Sequence, residues 1–91
     1  MPYVTQVKRE AFTSSVNKLM DTLAVNYYAV GDINYIITRL MLAFIETHGK
    51  KYETYNAAIG VLECAKQELY RKSVSAYEDH KAIQNGDVFY E

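Results

Sequence analysis

Two pairs of side chains carry the recognition chemistry this sequence offers. Tyr35 and Arg39 stand four residues apart, as do Lys66 and Tyr70, and Arg71 and Lys72 follow directly. On a helix, that spacing sets both members of a pair on one face. Tyrosine rings stack on bases, and arginine or lysine neutralises phosphate, so the chemistry is non-covalent recognition of an anionic nucleotide. Tyr35, Arg39, Lys66, Tyr70, Arg71 and Lys72 are therefore the candidate ligand-binding residues. A structural reading competes with this one. Arg39 would pair with a nearby acid, and Arg71 and Lys72 would lay their stems on the helix and keep their charged heads in water.

Reactive chemistry finds less support. A carboxylate metal site on a helical bundle needs Glu-x-x-His or repeated Glu-x-x-Glu spacing, so that its ligands share a face, and neither pattern occurs. Glu46 and His48 are two apart and point in different directions, and His80 has only Glu78 and Asp79 beside it. Two histidines and one cysteine fall short of a structural zinc set. Glycine-rich phosphate loops, a serine elbow and a cysteine–histidine nucleophile are absent as motifs. No catalytic residue, metal ligand or cofactor is assigned, and an enzyme whose site is built across a subunit interface is the least favoured class.

Composition narrows the class further. Ninety-one residues, 49% of them apolar, make one domain spanning the chain, close to the smallest core that is stable unaided, so self-association is expected. Ten basic and eleven acidic side chains are interspersed and leave a net charge of −1, which disfavours non-specific nucleic-acid binding. With no apolar leader after Met1 and no run of about 18 apolar residues, the expectation is a soluble cytoplasmic protein with no membrane partner. A single cysteine, Cys64, makes no internal disulfide and reads as a small buried hydrophobe. Nine tyrosines without a tryptophan fit wet interfaces and pockets better than a dry core.

The elements that position these groups read as helices. Pro2 and Tyr3 form a short extended lead, and Thr5 caps a first helix over about 5–25 whose stripe is Phe12, Val16, Leu19, Met20 and Leu23. Gly31 reads as a stop and Asp32 as the cap of a second helix over about 32–48, with Ile33, Ile36, Ile37, Leu40, Met41 and Phe44 as its core face. Leu42 and Ile45 on its other side imply a second contact. His48-Gly49 ends it. A third helix over about 53–83 has a weak spot at Ser73-Val74-Ser75 and a stripe of Tyr55, Ala58, Ile59, Leu62, Ala65 and Leu69. Gly60, costly inside a helix, implies a backbone or ligand in close approach. Asn85-Gly86 stops this helix, and Val88, Phe89 and Tyr90 form a short extended tail, over about 85–91, expected to dock on its own subunit or a neighbour. The fold class is thus all-α, a three-helix protein with a long third helix.

The strings GDINYIITRL (Gly31 to Leu40), IGVLECAKQELYRK (Ile59 to Lys72), YEDHK (Tyr77 to Lys81) and NGDVFY (Asn85 to Tyr90) resemble those of a family of short uncharacterised proteins from bacteria, prophages and phages. The resemblance spans nearly the whole chain and implies a phage or prophage setting, with the host cytoplasm as location. It implies no catalytic residue. Relatives often carry a proline just before Tyr-Glu-Asp, where this chain has Ala76. The sequence-level expectation is a non-catalytic, homo-oligomeric helical binding protein that sequesters a small nucleotide immune signal. The alternative is an interaction module that captures a host or virion protein.

Overall fold

The structure, a computed structural model, describes residues 4–90, with Tyr90 by its backbone only. The expected extended lead at Pro2 and Tyr3, and the side chain of Tyr90 in the tail, lie outside the described residues. Helix α1 (Gln6–Val25) is followed by α2 (Val30–His48) and α3 (Tyr52–Leu69), and a π turn (Tyr70–Val74) joins α3 to α4 (Ser75–Asn85) without a break. Helix therefore runs from Tyr52 to Asn85, the long third helix of an all-α chain, and a single 3-10 turn (Val88–Tyr90) ends the described tail. Contacts gather in two units that divide between Ala58 and Ile59.

Local chemistry sets the helix ends. The Thr5 hydroxyl oxygen accepts the Lys8 N–H at 3.3 Å, which satisfies a first-turn donor that has no partner inside the helix. At the far end the Asn26 side chain donates to the Thr22 carbonyl at 2.7 Å. The corner after α1 then turns on Tyr27, whose φ of 49° lies in the left-handed region that non-glycine residues seldom adopt. Gly31 is not a stop, and Asp32 is not the N-cap: α2 already begins at Val30, and the Asp32 carboxylate reaches back to accept the Ala29 N–H at 2.7 Å. The carboxylate thus acts from the third helical position, as the acid of a capping box does. Gly49 and Gly86 end their helices with φ of 100° and 86°, and their N–H groups donate to the Ile45 and Ala82 carbonyls, as the left-handed stop requires.

Burial is confined to a small region of the first unit. Thr54 and Ala58, each 4% exposed, are the only buried side chains among the described residues. One turn apart on α3, they share a face. The Thr54 hydroxyl donates to the His48 carbonyl at 3.5 Å, and the Phe44 and His48 rings lie 4.5 Å apart at 42°, so the α2–α3 corner closes over Thr54. The expected α3 stripe is displaced accordingly: Tyr55 and Ile59 are exposed, and Thr54, a polar residue that periodicity ignores, takes the inner position. Cys64 is exposed rather than buried. Apart from its own helical turn, a Cβ added at Gly60 would meet no atom of the described residues within 4 Å, so no close approach among them accounts for that glycine. Among the described residues of the tail, Val88 is 71% and Phe89 89% exposed, so neither is covered.

Candidate functional site

The first candidate pair forms as the spacing demands. On α2 the Arg39 guanidinium donates through Nη1 to the Tyr35 hydroxyl at 2.8 Å, and its Cζ lies 5.8 Å from the centre of the Tyr35 ring. The hydrogen bond and the cation–π contact together hold the guanidinium against the ring. Among the described residues Arg39 makes no ion pair with a carboxylate, so its charge is not cancelled locally. Five N–H donors on a planar fork leave several to address an incoming anion.

Tyr35 also borders an open cleft of about 410 Å³ between the end of α1 and the start of α2. Leu19, Leu23 and Ile36 give it an apolar side, and Tyr28, Asn26 and Asp32 a polar one. The left-handed turn at Tyr27 brings Tyr28 to this cleft from the α1–α2 corner. Tyr27 and Tyr28 flank the corner between α1 and α2, and the sequence analysis gave Tyr28 no role in a site. The signal that could have placed Tyr28 is the dense run of tyrosine, asparagine and aspartate between two amphipathic helices.

The second set is arranged differently. Lys66 lies 3.6 Å from the Glu63 carboxylate one turn earlier on α3, and Arg71 pairs closely with Glu68. Both pairs are helical neighbours at i, i+3, whereas the structural reading expected an acid beside Arg39 and a solvated head for Arg71. Tyr70, Arg71 and Lys72 open the π turn, whose defining bond runs from the Ser75 N–H to the Tyr70 carbonyl. Such turns insert one residue into a helix and recur at functional sites. On α4 a further tyrosine–cation contact places the Lys81 ammonium 5.7 Å from the Tyr77 ring centre. Among the described residues no three of His, Cys, Asp and Glu gather where they could hold a metal ion, and no helix is long and apolar enough to cross a membrane.

Fold and site together define the class: an all-α helical protein with tyrosine–cation pairs displayed on its surface. The chain belongs to the family described as a domain of unknown function, DUF6899, whose model matches residues 1–88. No curated protein and no solved structure matches it.

Proposed function

We propose that the chain is a non-catalytic helical module that binds as a homo-oligomer. The observation that carries this reading is the extent of exposed surface. Phe12, Val16, Leu40 and Leu42 are 52%, 50%, 57% and 55% exposed. With only Thr54 and Ala58 buried among the described residues, the hydrophobic faces of these helices need a cover. Sedimentation or light scattering at micromolar concentration tests the reading: a dimer or larger assembly is expected, and a folded monomer overturns it.

Arg39 favours a second, finer reading in which the assembled module sequesters a small anionic nucleotide. In the phage or prophage setting implied by the sequence resemblance, that would make it a sponge for an immune signal in the host cytoplasm. Calorimetry with cyclic and linear nucleotides tests this. Arg39→Ala should weaken binding by about 1.5–3 kcal/mol, the worth of a charge-assisted hydrogen bond, with helicity unchanged. Arg71→Ala should cost less than Arg39→Ala, because Glu68 already neutralises Arg71. If no nucleotide binds and a host or virion protein is captured on the exposed Leu42 and tyrosine surface, the interaction-module reading replaces it.

A further inference from the structure

Asp32, Tyr35 and Arg39 follow one another at i, i+3 and i+7 on α2, so they share a face, and the two charges stand two turns and about 10 Å apart along the axis. Tyr35 joins the two ends. It borders the cleft of about 410 Å³ between α1 and α2, and its hydroxyl accepts from Arg39 Nη1 at 2.8 Å. Within the cleft the half-buried Leu23 and Ile36 form an apolar floor, and the polar groups are left as acceptors. One oxygen of the Asp32 carboxylate accepts the Ala29 N–H at 2.7 Å, and among the described residues the other has no partner. The Asn26 amide donates through Nδ2 to the Thr22 carbonyl, which leaves its Oδ1 as a further acceptor. A ligand that uses this whole face must present N–H donors to the cleft, a flat ring to Tyr35 and an anion to Arg39.

We propose that the α1–α2 cleft is the base-recognition half of a nucleotide site, and that the base it selects is guanine. This rests on the nucleotide reading above and names its ligand. Guanine presents a ring N–H and an exocyclic amino group side by side. A carboxylate accepts from both at once, because each oxygen has two lone pairs and the one that holds the Ala29 N–H keeps a second. Adenine and cytosine set a ring acceptor beside their amino group, and uracil flanks its single N–H with carbonyls. Each of these turns a lone pair towards the Asp32 carboxylate, where neither side has a donor to offer. Tyr35 supplies the ring face on which the base stacks. Arg39, which pairs with no carboxylate among the described residues, takes the phosphate two turns further on. The Asp32 charge does not oppose that phosphate, since the base separates them by about a screening length at moderate salt.

The test is calorimetric titration of the full chain with guanosine, inosine and adenosine monophosphates and with guanosine itself. Guanosine monophosphate should bind about tenfold more tightly than inosine monophosphate, which lacks only the amino group, and about tenfold more tightly than guanosine, which lacks only the phosphate. Asp32→Asn keeps an acceptor for the Ala29 N–H but turns an amino group towards the base, so it should erase the preference over inosine monophosphate and keep the preference over guanosine. Arg39→Gln should do the reverse. Circular dichroism confirms that both variants keep their helices, and the comparison of ligands on the wild-type chain needs no variant. Equal binding of the three monophosphates, or a preference for adenosine monophosphate, overturns the guanine site; if Arg39→Gln still weakens them, nucleotide binding stands without it. Should none of these ligands bind, the guanine site is overturned and the wider panel of cyclic and linear nucleotides decides the nucleotide reading.

Discussion

Ala58 and Gly60 sit two residues apart on α3 and respond to opposite constraints. Ala58 is buried at 4% exposure, so Ala58→Leu should overpack the α2–α3 corner and cost about 1–3 kcal/mol in denaturant unfolding. Gly60 has open space where a Cβ would stand. Gly60→Ala should therefore stabilise α3 by up to about 1 kcal/mol through helix propensity alone. The same unfolding series checks both, and a loss at Gly60 equal to that at Ala58 would mean that another chain's backbone lies there. Arg39 and Arg71 differ in a related way. Both are arginines four or fewer residues from a partner, yet one lies on a tyrosine ring and the other on a carboxylate. Charge available for a ligand follows the partner's type rather than the arginine itself.

At the scale of the elements, caps and interruptions carry the information. The Asp32 carboxylate bonds the Ala29 N–H before α2, so Asp32→Ala should cost about 0.5–2 kcal/mol, read as a lower urea midpoint at unchanged slope. The π turn makes a different prediction. Deleting Ser73 removes the inserted residue and lets i→i+4 bonds run through, with the face of α4 relative to α3 largely kept because the wide turn had already absorbed the extra residue. Helix content by circular dichroism should stay level while amide protection over residues 70–75 rises. These local features were largely legible from sequence: Thr5, Gly49 and Gly86 signal helix ends through chemistry that acts within a few residues, and Ser73-Val74-Ser75 marked the interruption. What periodicity could not supply was coverage. It identified the apolar faces of α1, α2 and α3 without telling which stretch of each face meets a neighbour. For that reason Thr54 rather than Tyr55 proved to be buried, and Cys64 and Phe89 proved to be exposed. The candidate ligand residues divide along the same line, because Tyr35–Arg39 spacing fixes their mutual contact but Glu63 and Glu68 decide how much charge Lys66 and Arg71 retain.

For the molecule as a whole, the small buried region sets how stability should depend on concentration. If folding is completed by association, diluting the chain shifts it towards unfolded monomer by mass action. Melting scans over a hundredfold range of protein should therefore show a rising Tm, where a self-sufficient monomer would show a constant one. A cell would meet the same dependence as a threshold on expression. Sparse, unpaired copies expose extended backbone to proteases, and paired copies are spared, so degradation removes the protein fastest when little of it has been made. Accumulation would then be slow at first and steep afterwards, a timing element that follows from how little of this chain its own fold encloses.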